Sequence, residues 1–266
     1  MIIEKFPEDI VREGDYVLLV GASEKLRLIV RVEKGKVVST IRGNVRLDDI
    51  IGKELGSKVR TSLGEELTIT RPSIEEFMLE KYDRPTQVIY LKDAAYIILK
   101  AEIGPGCTVV EAGSGSGFMT TFLALHVQPN GKVISYDVRR EFQEVAMRNV
   151  KMLGLDKFVE FKIRDVIKEG FDLPDKSVDA VILDMAKPWE VLSEAYRVLK
   201  HGRYLVLYLP SILQVDKVLR EYRKHGFADP EVVEVLVRKW KPVSEELRPD
   251  TWMIAHTGFL VFLRKP

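Results

Sequence analysis

Apolar positions along the chain follow two different rhythms. Between Asp15 and about Thr70 they form short runs, at 16–20, 26–32 and 37–38, divided by Gly21, Gly35 and Gly43. Short runs bounded by glycine predict strands, here a small barrel or twisted sheet. Arg71-Pro72 marks the expected boundary, giving a β-rich domain over 1–70 and a larger domain over 71–266. In the larger domain the rhythm alternates. Helical spacing over 74–82 and 92–101 leads into an apolar run at 108–110, and further helices are predicted over 118–127, 141–153, 189–199 and 212–224. Between them lie β-like runs at 132–137, 158–163, 178–183 and 204–209; two more, 232–240 and 254–263, close the chain with no helix between them. Strand–helix alternation predicts an α/β fold with a doubly wound parallel sheet, and the terminal pair predicts an antiparallel edge.

Composition narrows the setting. With 46% hydrophobic and 30% charged residues among 266, the chain reads as soluble and globular. It carries no charged-then-apolar leader and no apolar run of membrane-spanning length, so no membrane is expected. Cys107 is the single cysteine, which suits a reducing cytoplasm. Few Asn and Gln beside abundant Lys, Arg and Glu resemble hyperthermophile usage. The net charge is only +1, so a nucleic-acid surface would have to be a local patch. One such patch stands out at 25–46, where Lys25, Arg27, Arg31, Lys34, Lys36, Arg42 and Arg46 face a single acid, Glu33. It is either a solvated sheet face or a phosphate-tracking surface.

The chemistry concentrates where the run at 108–110 ends. Glu111 is followed by Gly113, Gly115 and Gly117, and then by the predicted helix. Glycines admit positive φ and close approach to the backbone, and a helix start offers unpaired N–H groups. A dinucleotide fingerprint would need glycine at 118, which is Phe118, and no P-loop string occurs. The remaining E-x-G-x-G-x-G resembles the first motif of class I S-adenosylmethionine (SAM) methyltransferases, which implies a Rossmann-like catalytic domain. Asp137 ends the next β-like run and is spaced to accept ribose hydroxyls. Asp165 and Asp184 follow two further runs, so four carboxylates would meet at the carboxyl ends of the strands. One acid after a strand is usually a helix N-cap; four in register with a glycine loop point to a site. No metal grouping competes, because His126, His201, His225 and His256 are scattered.

The fourth acid lies in Asp184-Met-Ala-Lys-Pro-Trp189, where amino-directed enzymes of the broader fold often have Asn/Asp-Pro-Pro-Tyr. Together with Gln87-Val-Ile-Tyr90, Lys92-Asp93, Pro210-Ser211 with Gln214, Arg248-Pro249 and Ala255-His-Thr-Gly258, that string resembles the tRNA (adenine-N1)-methyltransferase family, called TrmI in prokaryotes, in an archaeal-like form. The resemblance runs from the β-rich domain to the C-terminus. It implies 1-methyladenosine formation in the T-loop of tRNA, at adenine 58 and in some members also 57, by a homotetramer. It further implies that Asp184 is the catalytic carboxylate and that Glu111, Gly113, Gly115, Ser116, Gly117, Phe118 and Met119 surround the cofactor. Asp137 would hold the ribose, Asp165 the adenine amino group of SAM, and Gln87 would line the pocket on the cofactor side. Tyr90, Pro188, Trp189 and His256 would meet the target base. The chain departs from the family where Asp137 replaces a common glutamate and Leu91 a common proline.

Methylating adenine N1 creates a cation, so a carboxylate accepting a hydrogen bond from the exocyclic N6 would stabilise the developing charge. Two other readings share the glycine loop. An isoaspartyl or precorrin methyltransferase gives no reason for the basic β domain, and a non-catalytic RNA-binding subunit gives none for intact glycines and Asp184.

Overall fold

A computed structural model describes residues 3–23 and 26–266, so Lys25 of the basic stretch lies outside the described residues. The described residues form two compact units, one within 3–82 together with 152–154, the other 83–151 with 155–266.

In the first unit, strands β1 (Tyr16–Val20), β2 (Arg27–Arg31), β5 (Lys58–Arg60) and β6 (Glu66–Thr70) form an antiparallel sheet in the order β2-β1-β6-β5, while β3 (Val37–Thr40) and β4 (Gly43–Arg46) pair as a separate ribbon. Alternation along the strands sends Val17, Leu19, Leu67 and Ile69 into a core shared with Val45, Leu47 and Ile50. Helix α1 (Ile74–Lys81) belongs to this unit as well. Ser73 and Glu76 close its N-terminus as a capping box, and Phe77 meets the rings of Phe6 and Tyr16 edge-on at 5.4 and 4.7 Å.

The second unit contains α2 (Leu91–Lys100), β7 (Thr108–Ala112), α3 (Phe118–Val127), β8 (Lys132–Asp137), α4 (Arg140–Met152), β9 (Val159–Ile163), α5 (Val166–Glu169), β10 (Val178–Leu183), α6 (Leu192–Val198), β11 (Leu199–Leu209), α7 (Ile212–Glu221), β12 (Ala228–Val233) and β13 (Phe259–Arg264). Its seven-stranded sheet has the order β12-β13-β11-β10-β7-β8-β9. The five strands from β11 to β9 are parallel, and β13 and β12 add the expected antiparallel edge. Strand period decides what each face buries. Val110, Ala112, Val181, Leu183, Leu205, Leu207, Val261 and Leu263 lie in one core with residues of α5, α6 and α7. On the opposite parity Glu111 accepts from Thr120 of α3, Ser135 O accepts from Gln143 of α4, and Phe262 meets Tyr96 of α2. The sheet is therefore wound on both faces.

Three expectations need correction. The helix predicted over 189–199 splits into a 3-10 turn, Pro188–Val191, and the short α6, after which β11 begins at Leu199. The strand predicted over 232–240 is Ala228–Val233, and that over 254–263 is Phe259–Arg264. The reason is supply of partners. β11 ends at Leu209 opposite Phe259, and Val233 pairs with Leu260, so residues 234–240 and 254–258 have no strand of this sheet to join, and Trp240 makes only an isolated bridge with Pro249.

Candidate active site

Strand order reverses between β7 and β10, the place in an open α/β sheet where the chain leaves a crevice at the carboxyl ends. The glycine loop follows β7 there and Asp184 follows β10. Asp184 N donates to Ala112 O at 2.9 Å, which continues the pairing past both strand ends. Gly113, Gly115 and Gly117 all have positive φ, at 100°, 50° and 79°. Each is also a close neighbour of protein: Gly113 of the Asp184 backbone, Gly115 of Thr86 Oγ1, Gly117 of Ala146 on α4. The fold itself thus demands the glycine spacing before any ligand is considered.

Carboxylates gather around this loop. Glu111 is fully buried, and its Oε2 accepts from Thr120 Oγ1 and Ser135 Oγ, both at 2.5 Å. Ser114 Oγ lies 2.7 Å from Ser135 Oγ, extending the chain of hydroxyls to the loop. Burial pushes the Glu111 carboxyl up to about 8 despite the two donors, with the charges of Asp184 and Asp137 adding to the rise. Asp137 is 5% exposed; its Oδ2 accepts from Gly115 N at 3.2 Å and its Oδ1 from Arg139 N at 3.0 Å. Asp184 keeps some solvent access yet is enclosed by dense protein, and this burial, with Asp137 nearby, raises its carboxyl to about 7. Among the described residues no donor reaches the Asp184 carboxylate. Nor does it cap a helix, because the next turn starts at Pro188 with Lys187 as its cap residue and no side-chain bond.

Asp165 behaves differently. Its Oδ1 accepts from Ile167 N and Lys168 N at 3.1 and 3.4 Å, and Lys168 lies 2.9 Å from Oδ2. That lysine, followed by the backbone donors, holds its carboxyl below the usual range. Asp165 is thus an N-cap in this structure. Phe118 and Met119 are buried in the first turn of α3. Ser116 bonds Thr86 Oγ1 at 2.7 Å and its carbonyl accepts from Asn149 Nδ2, which brings the exposed Gln87 next to the loop. Pro188 is buried at the start of its turn, and Trp189 packs on the core with Lys217 Nζ 4.7 Å above its ring. His256 is exposed; Nδ1 pairs with Glu234 at 2.6 Å, which raises its pKa, and Nε2 lies 3.3 Å from Pro210 O.

Thr86, Ser135, Asn149 and Tyr208 are not singled out by the sequence. Hydroxyl and amide residues this common carry no spacing signal, and only the closed fold shows that they converge. Lys92-Asp93 and Thr257-Gly258 were singled out, and here they touch: Lys92 Nζ donates to Asp93 Oδ1 at 2.9 Å and Thr257 Oγ1 at 2.6 Å. Among the described residues no group of three or more His, Cys, Asp and Glu could hold a metal ion. For an adenosine cofactor the arrangement fits. A buried carboxylate lies beside the glycine loop at the ribose-binding spacing, and a second with no partner stands across the switch point.

Comparison with known proteins agrees with this geometry. The family described as tRNA methyltransferase complex GCD14 subunit matches residues 71–251. The tRNA (adenine(58)-N(1))-methyltransferase TrmI of Thermus thermophilus is 37% identical over 89% of this chain and 92% of its own. The tRNA (adenine(57)-N(1)/adenine(58)-N(1))-methyltransferase TrmI of Methanocaldococcus jannaschii is 34% identical over 94% and 95%. Among solved structures, the tRNA (m1A58) methyltransferase TrmI of Aquifex aeolicus superposes with a TM-score of 0.82 at 33% identity, covering 97% of this chain and 99% of that one. A Thermotoga maritima protein described as a SAM-dependent O-methyltransferase superposes with a TM-score of 0.88 at 35% identity, covering 97% and 95%. Carrying a Rossmann-like methyltransferase unit and an antiparallel β unit, the chain belongs to the tRNA (adenine-N1)-methyltransferase family.

Proposed function

We propose that the protein transfers the methyl group of SAM to N1 of adenine in the T-loop of tRNA, at position 58 with 57 as a second target. The observation that carries this reading is the Asp184 carboxylate, which has no hydrogen-bond partner among the described residues and stands at the switch point against the glycine loop. SAM, when bound, supplies the electrophilic methyl. Asp137 holds the ribose hydroxyls, Asp165 the adenine amino group, and residues 111–119 enclose the rest, with Gln87 on the rim. Asp184 accepts from N6 of the target adenine and so stabilises positive charge as N1 is alkylated. Tyr90, Pro188, Trp189 and His256 hold the base, which has to leave its stack to reach them.

Residues 1–70 contact tRNA in this reading, supported by the exposed Lys34, Arg42 and Arg46, which have no ion-pair partner among the described residues. Homotetramer assembly is supported by apolar side chains left open over 236–254, such as Leu236, Leu247 and Trp252 at 58, 66 and 89% exposure. Oligomerisation also fits the thermophile-like composition. A cytoplasmic location follows from tRNA as substrate.

Mass mapping of methylated nucleosides on a tRNA transcript tests the activity. Label on N1 of adenine in the T-loop is expected. Label on a ribose oxygen would replace this reading with the O-methyl transfer named for the Thermotoga neighbour.

A further inference from the structure

Two stretches that lie 164 residues apart in the chain, Lys92-Asp93 and Thr257-Gly258, meet in a closed ring of hydrogen bonds. Lys92 Nζ donates to both oxygens of Asp93, at 2.9 and 3.0 Å, to Thr257 Oγ1 at 2.6 Å and to Val235 O at 2.7 Å. Thr257 Oγ1 donates in turn to Asp93 Oδ2 at 2.8 Å. Asp93 is wholly buried and the Lys92 side chain is 11% exposed. A buried ion pair is rarely the most stable filling for a protein interior, so its use here calls for a second reason.

Both ends of the ring reach the acceptor side of the proposed site. On one side, the N–H groups of Asp93 and Ala94 bond Tyr90 O at 3.0 and 2.9 Å, which fixes Tyr90 at the start of α2. On the other, Tyr208 Oη donates to Thr257 O at 2.7 Å. Tyr208 is buried, and its ring lies so close to Gly258 that a Cβ there would stand 2.6 Å from it. Leu207 pairs with Leu183, so Tyr208 and Asp184 are the next residues along neighbouring parallel strands. The charges of Asp93 and Asp184 and the hydroxyl of Tyr90 all act on the Tyr208 hydroxyl, whose pKa burial raises first of all.

We propose that the Lys92–Asp93–Thr257 ring is a positioning device that holds Tyr90 and Tyr208 against Asp184 and so sets the acceptor-base half of the site. This deepens the function proposed above and rests on it. None of the three ring residues has to touch the cofactor, so their loss separates acceptor chemistry from cofactor binding.

The decisive variant is the double substitution Lys92→Met with Asp93→Leu, which removes both charges and keeps the volume filled. Asp93→Asn alone strands a buried ammonium and is expected to lower the melting temperature; the pair is not. The double variant should fold and bind SAM within about twofold of the parent, yet lose about 10²-fold in kcat on tRNA, the scale of a small misplacement of reacting groups. Tyr208→Phe, which removes one hydroxyl, should move kcat in the same direction with SAM affinity unchanged. A folded double variant with kcat and KM for tRNA within about threefold of the parent would make the ring purely structural and overturn the inference. Loss of SAM affinity in step with kcat would overturn it too. A parent enzyme that leaves tRNA unmethylated would instead remove the functional reading beneath it.

Discussion

A Cβ atom on Gly113 would overlap the backbone carbonyl oxygen of Asp184 and stand 2.8 Å from the carbonyl carbon. The loop after β7 and the end of β10 are therefore in backbone contact, and neither can shift without the other. Gly113→Ala meets both this clash and a φ of 100°. It should destabilise the protein by at least about 2–3 kcal/mol, since strain at a special φ and overpacking add. Gly115→Ala has a φ of 50° and a hydroxyl 3.1 Å away, so its cost should be nearer ~1 kcal/mol. Denaturant melts of the two variants give the ranking, and equal midpoints would contradict it.

That contact also shows what the sequence could and could not disclose. The alternate glycines and the acids after each apolar run were legible, because strand–turn–helix connections leave local signatures. The tetrad Glu111, Asp137, Asp165 and Asp184 does not act alike, however. Asp165 is tied to Ile167, Lys168 and its ammonium, while Asp184 is untied, and both read the same in one dimension. The ends of β12 and β13 differ from the sequence pattern for a related reason. Val232 to Trp240 has strand-like residues, but a strand ends where its neighbour ends, and β11 stops before Pro210. Tyr208 left no trace at all, being one of many aromatics at a strand end.

Asp165 should contribute twice, as a cap and as a cofactor contact. Asp165→Ser keeps a capping oxygen but is too short to reach a ligand. Its melting temperature should match the parent while SAM affinity falls about tenfold, in the range of one hydrogen bond to a charged group. Calorimetric affinity equal to the parent would leave Asp165 as a cap and nothing more.

Stability should fall as pH rises across neutrality. Asp184 and Glu111 have folded pKa values raised to about 7 and about 8, above their ordinary range. Carboxyls raised in this way favour the folded state when protonated, so the stability they give is present in acid and is lost as pH climbs through those values. Asp184→Asn removes one of the two. It should be more stable than the parent at pH 8 by on the order of 1–3 kcal/mol, with the gap narrowing in acid and closing only below the ordinary carboxylate range, about pH 4. A gap that widens in acid would reverse the assignment. By the same titration, kcat/KM should rise with pH to a plateau above about 7 if, as proposed, the ionised carboxylate is the active form.

The basic stretch is not uniform. Arg27 pairs with Glu76, and Lys36 and Arg31 with Glu33, whereas the side chains of Lys34, Arg42 and Arg46 have no ion-pair partner among the described residues. The unpaired three are the ones free to meet phosphates. Replacing each by Gln should lower the salt slope of tRNA binding by roughly one unit per residue, with SAM binding unchanged. An unaltered slope would make the stretch a solvated face.

The sharpest test returns to Asp184. Asp184→Asn keeps the shape and one acceptor oxygen but loses the charge proposed to offset the cation formed at adenine N1. Removing one such preorganised contact costs about 10²–10³ in rate, or ~3–4 kcal/mol. A capping role cannot account for such a loss, because Asn caps as well as Asp and because Asp184 caps nothing in this structure. A base-catalysed O-methyl transfer would also fail in this variant, so the product has to be read with the rate. Single-turnover methylation with both substrates saturating should give slow formation of the same N1 product, with tRNA and SAM affinities near those of the parent. Turnover within a factor of a few of the parent would show that the untied carboxylate at the switch point is not the group that stabilises the charge.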